Sequence, residues 1–291
     1  MEFIRAKRMI QNVKGGQSWF GITHNVNIYR GCNQGCIYCD SRSDCYQISN
    51  FDQIKAKEDA DVMIDQELSL KRNKGVIGLG GMSDPYNQYE KDLEYTRSAL
   101  KSIAQYQFGV TIITKSTLVT RDIDILKAIM KKQPTIVCFT ITTADNRLQS
   151  RIERNIASSS QRFEAMKELS QEGIFTGITM MPILPFINDT VENIEAIVTK
   201  AYESGAKFIY PSFGVTLRAN QRQYFFQKIG PELTKKYIDA FGDAYMCVSL
   251  NQEELRKKFE TLCQKYGIVY KMKDILREAN NYVVNEQISL F

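Results

Sequence analysis

Histidine and tryptophan each occur once in this chain and proline six times. Nowhere do apolar residues run unbroken for the roughly 18 positions that a membrane helix needs. The first ten residues mix Glu2, Arg5, Lys7 and Arg8 with apolar neighbours, so the apolar centre of a secretory signal is missing and a cytoplasmic protein without a membrane partner is expected. There is no internal repeat and no low-complexity linker. Seven cysteines, an odd number with three inside eight residues, do not form the framework of a small disulfide-bonded secreted protein. What is present is ordinary for a folded chain: 43% of the 291 residues are hydrophobic and 24% charged, enough for one large α/β domain or a domain with a small appendage. The net charge of +5 leans weakly toward an acidic partner such as nucleic acid.

Short runs rich in β-branched residues alternate with longer helical patterns. Strands are expected at 26–29, 75–81, 110–114, 135–142, 176–181 and 207–213. Helices are expected at 58–72, 93–105, 123–131, 162–171 and from a Thr190 cap to 202. Ser158, Ser159 and Ser160 can cap the fourth helix, and Gly173 and Gly205 end the last two. Six β-then-α units imply a parallel sheet with right-handed crossovers, too few for a closed eight-stranded barrel. The fold class expected is therefore α/β, a partial (β/α)6 TIM-like barrel with parallel strands plus a helical C-terminal extension. The divisions are an N-terminal arm at 1–24, the barrel at 25–220, a helical extension without paired strands at 221–284, and a tail at 285–291.

The densest chemistry is Gly31-Cys32-Asn33-Gln34-Gly35-Cys36-Ile37-Tyr38-Cys39, whose three thiols are spaced C-x3-C-x2-C. Three thiolates on one tight loop can each hold one iron of a cubane, with glycines letting the backbone wrap closely, and the fourth iron then lacks a cysteine. Spacing alone leaves two alternatives open. A zinc ion would accept the three thiolates with His24 as fourth ligand, and Cys45 as fourth ligand would complete an electron-transfer cluster. Of the scattered cysteines, Cys138 lies in an apolar strand and reads as a core thiol.

With the aromatic Tyr38 before the last cysteine, this loop resembles the signature of the radical S-adenosylmethionine (SAM) superfamily. Around it, Asn27-Ile28-Tyr29-Arg30-Gly31-Cys32, Gly80-Gly81-Met82-Ser83-Asp84-Pro85-Tyr86 and Ile113-Thr114-Lys115-Ser116 are similar to the spore photoproduct lyase-like branch, also described as DNA repair photolyase-like. The resemblance implies a [4Fe-4S] cluster on Cys32, Cys36 and Cys39 with SAM chelating the open iron. An electron donor such as flavodoxin or ferredoxin would reduce the cluster, and the cleaved cofactor would give a 5'-deoxyadenosyl radical that abstracts hydrogen from substrate. It further implies cofactor contacts at the strand ends from Gly80, Gly81 and Ser83, and from Lys115 toward the carboxylate or ribose. Tyr38, Thr140, Thr142 and Arg154 complete the candidate cofactor set.

DNA repair by a lyase is the reading by analogy, and one departure bears on it. The lyase carries a cysteine just ahead of its Ser-Asp pair that returns hydrogen to the product radical, whereas this chain has Gly81 and Met82 there. Tyr86, Tyr89 and Cys45 are the candidate hydrogen donors. Nucleic acid is also suggested by Arg256, Lys257, Lys258, Lys265, Lys271, Lys273 and Arg277, interleaved with Tyr266 and Tyr270. The final Gln287, Ile288, Ser289, Leu290 and Phe291 resemble the peptide by which bacterial repair proteins bind the DNA sliding clamp. Three readings stand: a radical SAM enzyme that repairs or modifies nucleic acid or a nucleotide, the same chemistry on a small molecule or peptide, and a non-catalytic metal-stabilised nucleic-acid-binding module.

Overall fold

The computed structural model describes residues 1–13 and 19–283. Its strands in chain order are β1 (Glu2–Ile4), β2 (Ile10–Asn12), β3 (Ile22–Val26), β4 (Tyr29–Arg30), β5 (Lys55–Lys57), β6 (Val76–Leu79), β7 (Gly109–Thr114), β8 (Thr135–Thr140), β9 (Phe175–Met180), β10 (Phe208–Pro211), β11 (Gly214–Thr216) and β12 (Met246–Val248). The helices are α1 (Ala60–Ser69), α2 (Glu90–Leu93), α3 (Tyr95–Gln105), α4 (Ile123–Met130), α5 (Asn146–Ile152), α6 (Ser159–Gln171), α7 (Val191–Glu203), α8 (Ala219–Ile229), α9 (Pro231–Phe241), α10 (Gln252–Tyr266) and α11 (Met272–Asn281).

Strands β3, β6, β7, β8, β9 and β10 lie side by side in sequence order and are parallel throughout. This is the partial barrel. Every residue of β8 and of β9 is buried, because helices cover one face and the barrel interior the other. The expected caps are in place: Ser158 and Gln161 form a reciprocal capping box on α6, and the Thr190 hydroxyl accepts from Asn193 N at the start of α7. No helix among the described residues is long and apolar enough to cross a membrane.

Three features differ from the sequence reading. The first barrel strand is Ile22–Val26 rather than 26–29, since a register shift between Ile22 and His24 breaks its alternation. Tyr29–Arg30 belongs instead to a small separate sheet, β1-β5-β4, and β2 pairs antiparallel to β3, so the arm is not strand-free. The extension contains a strand, β12, which pairs antiparallel with β11 at the end of the barrel segment. Strands of two or three residues are too short for a period-2 pattern to be seen in sequence.

Candidate active site

The cysteine loop leaves β4 and is tied to two neighbours. Gly31 stands at φ +82, and a Cβ there would lie 2.5 Å from Gln53 O, so only glycine admits this close approach. Cys32 N donates to Phe51 O (2.7 Å) on one side. On the other, Ile37 N donates to Ile152 O (3.0 Å) and Asn155 N to Gln34 O (3.1 Å).

Asp84, buried after β6, joins the loop to the strand ends. Its two carboxylate oxygens accept from Gln34 Nε2 (2.7 Å), Thr114 Oγ1 (2.7 Å), Lys115 N (2.8 Å) and Tyr86 N (2.9 Å). Ser83 Oγ donates to Gly31 O at 2.7 Å. Gly80 has no room for a side chain, because a Cβ would fall 1.9 Å from Ile113 O of β7. A Cβ on Gly81 would meet nothing within 4 Å. Its backbone borders a cavity of about 150 Å³ whose walls include Cys32, Cys36, Cys39, Ser83, Lys115 and Thr140.

The three cysteines are unbridged. Burial pushes the Cys32 thiol up to about 11 and raises Cys36 and Cys39 as well. Thiolates here therefore need a cationic partner, and iron would supply one. Among the described residues no three His, Cys, Asp or Glu side chains gather as a single ion requires. A cubane asks for less convergence, since each thiolate takes its own iron. Donor set and open cradle together fit a cluster with a cofactor beside it.

Behind Cys36 and Cys39 lies a group that sequence reasoning missed. The Tyr38 hydroxyl donates to Glu153, and the Glu153 carboxylate pairs with Arg162 at 2.6 Å, both charges being fully buried. The pair is an ion pair closed off from solvent. Arg162 also donates to Thr140 O (2.8 Å) and Ala157 O (2.9 Å). Burial alone would lift the Glu153 carboxyl, but Arg162 and then Lys115 outweigh it and hold it below the usual range. Lys115 Nζ stands 5.7 Å from the Tyr38 ring centroid. Burial opposes its charge, yet Cys36 and Glu153 push its pKa up. The signal was that Arg162 shares a helix face with the buried Met166 and Leu169.

The other candidates are scattered. Thr142 is buried with an unpartnered Oγ1, and its carbonyl accepts from Asn188 and Asn193. Arg154 is exposed, its stem lying against Gly35 on the outer side of the loop. The Tyr86 hydroxyl is committed to Asp122 at 3.0 Å, Tyr89 is half-buried, and Cys45 is exposed on a short 3-10 turn. His24 is no ligand for the cysteine loop. It bonds Thr23 Oγ1 at 2.7 Å, and its ring lies 6.2 Å from that of Phe108 at the N-terminal end of the barrel, opposite the thiols. The cationic stretch of α10 and α11 is likewise remote: α10 packs on α7, Lys258 pairs with Glu195, Arg277 pairs with Asp274, and Leu276 packs at Gly21 below β3. The clamp-like Gln287 to Phe291 lies outside the described residues.

A partial barrel with three thiols at the C-terminal ends of its strands, around a cavity bordered by bare backbone, defines a cluster-and-cofactor enzyme class. The chain belongs to the radical SAM superfamily, whose family model matches residues 26–201. That membership carries a [4Fe-4S] cluster and S-adenosylmethionine. An uncharacterised protein of Methanocaldococcus jannaschii is 30% identical over 81% of this chain and 89% of its own length. A radical SAM Nalpha-GlyT isomerase of Pseudomonas phage M6 is 20% identical over 80% of this chain and 52% of its own length. In fold the chain is similar to a mutant spore photoproduct lyase with bound AdoMet and dinucleoside spore photoproduct, with a TM-score of 0.65, 13% identity, and coverage of 91% of this chain and 78% of that one.

Proposed function

We propose that this enzyme takes hydrogen from a nucleic acid or nucleotide, with Cys32, Cys36 and Cys39 holding the cluster. When bound, the cluster and SAM supply the 5'-deoxyadenosyl radical. The chain's own part is to hold and orient: Gly81 and Ser83 offer backbone and hydroxyl to the cofactor, Lys115 a cation to its carboxylate, and Tyr38 covers the thiols from behind.

The observation that carries the substrate reading is the groove beside the cysteine loop, about 630 Å³, walled by Asn33, Gln34, Asn87, Gln88 and Asn155 with Lys91 and Arg121. Among the described residues no carboxylate lines it, but Arg121 is already paired with the buried Glu90 and Asp122, which leaves Lys91 as its unpaired cation. Amides that both donate and accept suit base edges, and cations suit phosphates. The similarly folded lyase was solved with a dinucleoside spore photoproduct, and that ligand class is the one proposed here.

With Gly81 and Met82 where the lyase has its cysteine, and with the Tyr86 hydroxyl engaged, no cysteine among the described residues other than the three cluster ligands lines the cavity to quench a product radical. A reaction that returns the abstracted hydrogen to its own product, as an isomerisation does, needs none. The test is anaerobic turnover with reconstituted protein, reductant, SAM and deuterated DNA or nucleotides. Deuterium in 5'-deoxyadenosine or in recovered SAM is expected, and its absence from both with every nucleic-acid substrate, while uncoupled cleavage proceeds, would refute the substrate assignment.

A further inference from the structure

On the side of the cofactor cavity away from that groove, Met82 and Ser83 form the wall shared with a second cavity of about 210 Å³. Arg30 and Lys57 both line it, together with Gln11, Asn27 and Tyr46, and no carboxylate does. The two cations are set by the small sheet, where Arg30 ends β4 and Lys57 ends the adjacent β5. Among the described residues neither is in an ion pair with a carboxylate. Burial, and then the charge of Arg30, lowers the pKa of Lys57.

Glu67, whose carboxylate accepts from Met9 N (2.7 Å) and Ile10 N (3.0 Å), offsets part of the charge on Lys57 but does not line the cavity. Arg30 uses one nitrogen on Gln47 O at 2.5 Å, leaving the rest of its guanidinium free. Exposed Arg30 and half-buried Lys57 thus present two like charges to the cavity with only Glu67 opposing them from outside its lining, and an anion bound between them would relieve their repulsion.

Beyond Arg30 and Ile48 lies a third cavity, about 280 Å³, which adds Gln53 and two cations already paired, Arg5 with Glu58 and Lys55 with Glu2. A polar lining thus continues outward from the cofactor along β4 and β5, with Arg30 shared by both cavities. A single phosphate would fill only its inner end, whereas a chain of phosphodiesters would follow it.

We propose that Arg30 and Lys57 grip a phosphodiester of a single nucleic-acid strand whose neighbouring nucleotide enters the cofactor cavity past Met82. This deepens the nucleic-acid reading above and rests on it. Anaerobic, cluster-loaded protein is titrated into a labelled single-stranded oligodeoxynucleotide and followed by anisotropy, for the wild type and for Arg30→Gln, Lys57→Gln and Lys57→Arg.

Each neutralising variant should bind roughly tenfold more weakly at low salt, with the salt slope reduced by about one, while Lys57→Arg retains binding. Iron content and SAM binding by equilibrium dialysis should stay unchanged. Equal oligonucleotide binding by all four proteins overturns the site even if deuterium transfer from nucleic acid is observed. Loss of SAM binding in the same variants also overturns it, because the cations would then serve the cofactor carboxylate. A wild type that prefers thymidine monophosphate to thymidine but ignores the oligonucleotide, with that preference lost in Lys57→Gln, keeps the phosphate pocket and overturns the strand.

Discussion

Asp84 shows how much one carboxylate carries. It satisfies a side chain from the cysteine loop, a hydroxyl and an amide from the end of β7, and an amide of its own turn. Removing it strands those donors in a buried place, at a cost of about 1–3 kcal/mol for the worst-placed of them. Asp84→Ala is expected to lower stability in anaerobic urea denaturation by about 3 kcal/mol or more and to reduce bound iron, because the loop and β7 lose their common anchor. Full iron occupancy in that variant would contradict the role. His24 gives a pH test at the opposite end of the barrel. Burial, then the charge of Lys71, lowers its pKa, so the folded chain favours neutral imidazole. Stability is then complete above the ordinary histidine value and declines as pH falls below it, where the unfolded chain takes up the proton more readily. As His24 is the chain's only histidine, the denaturation midpoint should drop between about pH 7.5 and 5.5, and His24→Gln should flatten that decline.

At the scale of elements, α8 closes over the segment that follows Cys39. Asn220 accepts from Asp44 N (2.8 Å) and donates to Arg42 O (3.2 Å), Gln221 donates to Tyr38 O (3.4 Å), and Arg218 pairs with Asp40. The Arg42 guanidinium lies 3.9 Å over the Tyr224 ring. The surface pair contributes little by itself, and the backbone contacts do the ordering. Arg218→Ala combined with Asn220→Ala should speed amide exchange across residues 40–47 while leaving β7 to β9 protected, which mass-spectrometric exchange would show. The long elements were legible in the sequence: five of the six barrel strands and the barrel helices carry strong periodicity, and Ser158 and Thr190 announce their caps, whereas the bulged β3 was read four residues late. The cysteine loop was legible because its spacing is local. Contacts such as α8 on Tyr38, or Tyr38 on Glu153, join residues far apart in sequence, and neither spacing nor composition encodes them. The cationic α10 misled for the same reason, since charge can be counted along the chain but its place in the fold cannot.

For the molecule as a whole, the two ends of the barrel do different work. The C-terminal end holds the thiols, the bare backbone of Gly81 and the cavities. The N-terminal end is shut by α11, whose Ile275 and Ala279 pack with Phe20, Ile22, Ile136, Cys138, Phe175 and Phe208 at or near the starts of β3, β8, β9 and β10. Phe175 stacks on Phe208 at 5.2 Å and Tyr282 closes edge-on at 4.9 Å, so the seal is aromatic and dry. An open six-stranded barrel has no eighth strand to close it, and α11 supplies apolar cover that ring closure would otherwise give. The separation is testable because the two ends should fail independently. Ile275→Ala removes a fully buried side chain from the seal and should cost about 2–5 kcal/mol in urea denaturation. Below its unfolding transition this variant should bind iron and SAM like the wild type, whereas Asp84→Ala should lose stability and iron together. If Ile275→Ala instead released the cluster while still folded, the ends would be coupled and the seal would be part of the site.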